Sequence, residues 1–159
     1  MKLLSIAVPC YNSAAYMDRC IRALLHGGEE VEILIVDDGS QKDNTGEIAD
    51  RYEREYPTIC RAIHQVNGGH GAAVMTGLKN AGGVFFKVVD SDDWVDPESY
   101  DKILSTLRDF TAKNTQLDLL ISNFVYEKEG AAHKRVMNYR KVLPTEKLIG
   151  WDEIGHFLP

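Results

Sequence analysis

A chain of 159 residues, 44% hydrophobic and 26% charged, has the balance of a globular domain and the length for one substantial core. Its formal net charge of -6 argues against a nucleic-acid footprint, which needs Lys and Arg gathered on one face, and obliges any anionic ligand to find a local source of positive charge. No apolar run has the length to cross a bilayer, the start from Met1 to Pro9 is too short for a signal peptide, and Cys10, Cys20 and Cys60 lack C-x-x-C spacing, so the expectation is a cytosolic chain with free thiols.

Leu3 to Val8 is a continuous apolar run bounded by Pro9, the pattern of a strand buried on both faces of a parallel sheet. Ser13 can then cap a helix carrying Tyr16, Cys20, Ile21, Leu24 and Leu25 at helical spacing, which Gly27-Gly28 ends. Val31 to Val36 is a second buried strand, closed by Asp37-Asp38-Gly39-Ser40. Asp43 to Glu55 places Ile48, Ala49 and Tyr52 on one side of a polar helix that stops before Pro57. A strand over Ile59 to His64, the loop Asn67-Gly68-Gly69-His70-Gly71 and a helix over Ala72 to Ala81 come next. Val84 to Val89 then runs into Asp90-Ser91-Asp92-Asp93, and Pro97 opens a helix with Tyr100, Ile103, Leu104, Leu107 and Phe110 inward.

Leu117 to Ile121 reads as a fifth strand. This rhythm predicts an α/β domain over residues 1–122, a three-layer open and mostly parallel sheet with helices on both faces. Beyond Ser122 the texture changes. Phe124-Val125-Tyr126 and Arg135-Val136-Met137 suggest a hairpin, and a short helix is expected from about Thr145. Residues 123–159 are expected to begin a second region that is cut short.

In open α/β sheets ligands sit outside the carboxyl ends of the strands, so the residues directly after each strand are the first place to look for a site. Here Pro9-Cys10-Tyr11-Asn12, Asp37-Asp38, the glycine loop and Asp90-Ser91-Asp92-Asp93 all reach one edge. Asp37, Asp38, Asp90, Asp92 and Asp93 are expected to converge there. Like charges about 4 Å apart repel by roughly 4 kcal/mol at an effective dielectric of about 20, so the cluster calls for a cation. Carboxylate oxygens favour Mg²⁺ or Mn²⁺, held by Asp92 with Asp90 or Asp93 together with a diphosphate.

Plainer readings exist for each feature. An acidic turn after a strand also serves as a solvated connection or a helix cap, and the glycine loop has neither the G-x-G-x-x-G spacing nor a Walker ending. His70, without a second histidine at ligand spacing, reads as a helix-capping or surface residue. An EF-hand starting at Asp90 fails, because Trp94 and Val95 stand where an oxygen ligand and a glycine are needed. A haloacid-dehalogenase-type phosphatase would place Gly-Thr after its second Asp, not Asp93-Trp94. A receiver-like signalling domain resembles Ile33 to Asp38, but its usual Lys-Pro pair after a later strand is absent from this sequence.

Taken together, Val8-Pro9-Cys10-Tyr11-Asn12, Val36-Asp37-Asp38-Gly39-Ser40, Asn67-Gly68-Gly69-His70-Gly71 and Val89-Asp90-Ser91-Asp92-Asp93 resemble the family 2 glycosyltransferases of the GT-A, Rossmann-like fold, over roughly Leu3 to Asp101. The resemblance implies a nucleotide-diphosphate sugar donor, a divalent metal at the D-x-D element and inversion at the anomeric carbon. It implies that Pro9, Tyr11 and Asn12 line the nucleoside pocket and that Asp38 hydrogen-bonds the base, uracil in many members. Gly69 to Gly71 let backbone approach the donor, Asp90 lies near ribose or metal, Asp92 holds metal and diphosphate, and Asp93 contacts sugar or metal. The general base of such enzymes is an acid in a later segment. Asp152 and Glu153 lack that context, so the base is expected beyond Pro159. Cell-wall, capsule or lipid-linked glycan assembly, with peripheral membrane association, fits the resemblance. The rival readings are a catalytically silent nucleotide-binding module and the receiver-like domain.

Overall fold

The computed structural model describes residues 1–127 and 134–153, and the chain divides into two compact units, Met1–Gln116 and Leu117–Pro159. Strand β1 (Leu4–Cys10) is buried at every position, and β2 (Val31–Asp37) at every position except Glu32. They pair in parallel from Leu4↔Val31 to Cys10↔Asp37. Ile6, Ala7, Val8, Ile33, Leu34, Ile35 and Val36 have no exposed surface, so both faces of this central pair must be covered.

The cover comes from α1 (Met17–Leu24), α2 (Thr45–Glu55), α3 (His70–Asn80) and α4 (Pro97–Ala112). With β3 (Cys60–His64) and β4 (Phe85–Val88) the sheet has the order β3-β2-β1-β4, every pair parallel. Right-handed crossovers put α1 and α2 on one face and α3 on the other. The side chain of Tyr100 on α4 donates to the Leu24 carbonyl at the end of α1. The expected three-layer α/β architecture with helices on both faces is therefore present. The order reverses between β1 and β4, because β2 and β3 extend the sheet in one direction and β4 returns to the other side of β1.

Local sequence explains where the helices begin. Asp96 accepts from the Ser99 amide at 2.9 Å, with Pro97 in the first turn of α4. Ser13 does not cap α1 with its side chain. Its hydroxyl is taken by the Tyr11 amide and the Ser91 hydroxyl, so the helix starts only at Met17 with no side-chain cap. Gly77 sits where α3 crosses β1, and a Cβ there would lie 2.5 Å from that of Ala7. Glycine is what allows the helix to lie this close to the sheet.

Two further expectations are corrected. Leu117–Ile121 is not a strand. Leu119, Leu120 and Ile121 are exposed, and among the described residues no ladder partner stands beside them, so apolar content alone does not make a strand. No helix forms over the described part of the stretch from Thr145. It holds instead a turn closed by reciprocal bonds between Gly150 and Glu153, and residues 154–159 lie outside the described residues. The expected hairpin is present as β5 (Phe124–Tyr126) antiparallel to β6 (Arg135–Met137), in register Phe124↔Met137; residues 128–133 between them lie outside the described residues.

Candidate functional site

The carboxyl ends of β1 and β4 flank the point where strand order reverses, and a cleft of about 480 Å³ opens there. Pro9, Cys10, Tyr11 and Ser13 come from the end of β1, Asp38 from β2, Asn67, Gly69, His70 and Ala73 from the glycine loop and α3, and Asp90, Ser91 and Asp92 from the turn after β4. Asp38 and Asp92, distant in sequence, thus face one cavity.

The loops around it are tied to one another by backbone geometry. Asn12 takes a left-handed conformation (φ 51), its amide donates to the Ser40 hydroxyl, and its Oδ1 accepts from the Gln41 and Lys42 amides. That side chain laces the β1 loop to the β2 loop and is not among the residues lining the cleft. Gly39 has φ 70, and a Cβ would meet the Asn67 amide nitrogen at 2.9 Å, so the β2 loop can press against the glycine loop only with glycine in place.

Asp38 is almost fully buried at 2% exposure. Its Oδ1 accepts from Gln65 Nε2 at 2.7 Å and the Gly68 amide at 2.9 Å, and its Oδ2 from the Gly69 amide at 2.8 Å. Burial pushes its carboxyl up, but the Gly68, Gln65 and Gly69 donors outweigh it and hold the group below the usual range. A carboxylate has about four lone-pair directions, so about one remains for a ligand. Asp37 is turned away into a second network. Its Oδ1 accepts from the Ser40 amide, and its Oδ2 faces His64 Nδ1 at 3.1 Å, while His64 Nε2 faces Asp50 at 2.9 Å. The Asp50 and Asp37 carboxylates raise the His64 pKa above its ordinary value.

The expectation that five carboxylates repel one another at a shared rim is therefore corrected. Asp37 and Asp38 are engaged by protein partners, which leaves Asp90, Asp92 and Asp93 together in the turn after β4. Burial, then the charges of Asp92 and Asp90, push the Asp93 carboxyl up. The turn that carries them is closed by the Asp93 amide donating to the Asp90 carbonyl, and is held to α1 by Cys20 Sγ on that carbonyl and by the Arg19 guanidinium over the Trp94 ring, 3.2 Å from its centre. Among the described residues no group of three or more His, Cys, Asp or Glu side chains is arranged to hold a metal ion alone. The donor set of Asp90 and Asp92 in the cleft fits Mg²⁺ or Mn²⁺, which take one or two carboxylates and complete their shell with phosphate oxygens.

Of the residues singled out in the sequence, Pro9, Tyr11, Asp38, Gly69, Asp90 and Asp92 line the cleft; Asn12, Gly71 and Asp93 do not. Ser13, Asn67, Ser91 and His70 line it without having been assigned to the site. His70, read in sequence as a cap or surface residue, is the first residue of α3, with its Nε2 3.8 Å from Asp90 Oδ1. Its position two residues after Gly68 in a loop at a strand end was the available signal.

A parallel sheet of order 3-2-1-4 with an acid-lined cleft at its switch point defines an open α/β fold with its ligand position outside the carboxyl ends of the strands. The chain belongs to glycosyl transferase family 2, whose model matches residues 5–156. It is 37% identical over 123 residues to the glycosyltransferase EpsJ of Bacillus subtilis, covering 77% of this chain and 34% of that one. It is 34% identical to the glycosyltransferase GlyG of Streptococcus pneumoniae, covering 77% of this chain and 39% of that one. Among solved structures, S. aureus TarS 1-349 in complex with UDP-GlcNAc matches with a TM-score of 0.59 and 31% identity, over 70% of this chain and 32% of that one. The mannosyltransferase PcManGT of Pyrobaculum calidifontis, in complex with GDP-Man and Mn2+, shares the fold with a TM-score of 0.58 at 20% identity, over 67% of this chain and 32% of that one. The chain spans about a third of the length of these relatives. Among the described residues no helix is long and apolar enough to cross a membrane.

Proposed function

We propose that this chain is the donor-binding portion of an inverting glycosyltransferase, which moves a sugar from a nucleotide-diphosphate sugar, a UDP-sugar by preference, to a glycan or lipid-linked acceptor. The observation that carries the reading is the convergence of Pro9, Tyr11, Asp38, Asp90 and Asp92 on one cleft at the switch point of the sheet. The TarS complex with UDP-GlcNAc supports the donor class.

Pro9 and Tyr11 form the apolar wall for the nucleoside, with Asn12 fixing the loop that carries them. Asp38 offers its remaining acceptor direction to an N–H of the base, and the amides it restrains keep the glycine loop open on the donor side. Gly69 leaves room there, since a Cβ on it would meet nothing within 4 Å, and Gly71 follows it in the first turn of α3. Asp92 and Asp90 hold the divalent cation, with Asp93 tuning the charge of their turn. When bound, that cation supplies Lewis-acid neutralisation of the leaving nucleoside diphosphate. The acceptor hydroxyl attacks the anomeric carbon in line, and we assign the base that takes its proton to a residue outside this cleft. Residues 123–159 begin the acceptor side. The protein works in the cytoplasm, with peripheral membrane association, in assembling cell-wall or other polysaccharide.

A thermal-shift panel of UDP-, GDP- and TDP-sugars with and without Mn²⁺ tests this. The expected result is a rise in melting temperature that requires nucleotide and metal together. Stabilisation by small acyl phosphates, with none by nucleotides, would instead return the chain to a signalling role.

A further inference from the structure

Within the proposed donor site Ser13, Asn67, Ser91 and His70 line the cleft without an assigned ligand. Among the described residues lining the cleft, three carry carboxylates, Asp38, Asp90 and Asp92, while Tyr11, Ser13, Asn67 and Ser91 offer small neutral polar groups and His70 an imidazole. A diphosphate entering such a lining meets three carboxylates that only accept, so it needs the N–H and O–H donors of the other residues or a cation. The amides of Gly68 and Gly69, which could have served, are already given to Asp38. The hydroxyl of Ser91 donates to that of Ser13.

The His70 ring is placed differently. Its Nε2 stands 3.8 Å from Asp90 Oδ1, beyond hydrogen-bond reach, and its side chain lines the cleft with 63% of its surface exposed. It starts α3, beside the acidic turn, while Pro9 and Tyr11 belong to the carboxyl end of β1. An oxygen bound next to Asp90 therefore comes within reach of this ring, whereas the nucleoside wall formed by Pro9 and Tyr11 comes from another element.

We propose that His70 is a specificity-determining residue of the donor site, its Nε2–H donating to a diphosphate oxygen of the nucleotide beside Asp90. The inference rests on the donor-site reading above. Neutral imidazole suffices for this bond, so it does not depend on the charge of the ring. The consequence is selectivity. His70 contributes to binding a nucleoside diphosphate and contributes nothing to binding the nucleoside alone.

Calorimetric competition with UDP and with uridine, each in the presence of Mn²⁺, separates the cases for the unaltered chain, His70→Ala and His70→Gln. The expected result is that His70→Ala weakens UDP about tenfold and leaves uridine unchanged, while His70→Gln, which keeps an N–H of similar reach, recovers part of the loss. Equal UDP affinity in His70→Ala overturns the inference and leaves the donor site standing. An equal loss for UDP and uridine also overturns it, assigning the ring to nucleoside packing. Failure of the unaltered chain to bind UDP overturns the donor-site reading, and this inference with it. Melting curves of the variants check that the exposed substitution leaves the fold intact.

Discussion

Asp38 is a buried scaffold residue to which the proposed function gives a ligand contact as well. Three donors converge on its carboxylate, two of them backbone amides of the glycine loop. Asp38→Asn removes the charge and leaves one of those amides facing an NH₂ group, which should cost about 1–3 kcal/mol of stability in urea unfolding. An unchanged midpoint would show that the loop holds itself. Asp92 is the proposed metal ligand. Asp92→Asn should weaken UDP at least tenfold in a calorimetric titration with Mn²⁺, and unchanged affinity there would remove Asp92 from the site. His64 gives a pH dependence. Its folded pKa lies above the unfolded value of about 6.5, because Asp50 and Asp37 flank it. Its contribution is thus fully present below about 6.5 and is lost as pH rises through the higher folded value. The stability gap between the unaltered chain and His64→Gln should narrow as pH rises above about 6.5 and through the higher folded value, and a constant gap would mean that the bridge carries no proton-linked stability.

At the scale of elements, α3 matters most, since it bears His70 and is seated on the sheet by Gly77. Gly77→Ala gains about 1 kcal/mol of helix propensity. Against that stands a 2.5 Å approach to Ala7 Cβ on a central strand that cannot yield, and overpacking of this kind costs about 1–3 kcal/mol. The net effect should be a lower melting temperature, with Gly77→Ser no better. The helices and the parallel strands were legible because 3.6-residue spacing and unbroken apolar runs report burial directly. Leu117 to Ile121 misled for the same reason, since a run of apolar residues reports a wish for burial but not the presence of a partner strand. Ser13 misled because a hydroxyl after a strand can cap a helix or brace a loop, and only its distance to Ser91 decides.

At the scale of the whole molecule, the sheet order separates readings that the letters left open. A receiver domain has order 2-1-3-4-5, and the order here is 3-2-1-4, so the shared Ile33 to Asp38 run reflects a buried strand and nothing more specific. The site was legible to the extent that strand ends mark it. The separation of Asp37 from Asp38 was not, because adjacent residues on a strand point to opposite faces and the sequence does not show which donors wait on each side. His70 was hidden by the same limit.

The proposed donor binding requires a nucleoside diphosphate and a divalent cation in the cleft between the β1 loop and the acidic turn. A crystal structure of the chain with UDP and Mn²⁺ tests it most directly, through the anomalous signal of manganese. A single strong peak is expected in contact with the Asp92 carboxylate and with diphosphate oxygens, and the base beside Tyr11 and Asp38. Manganese or nucleotide bound away from the switch point of the sheet would contradict it.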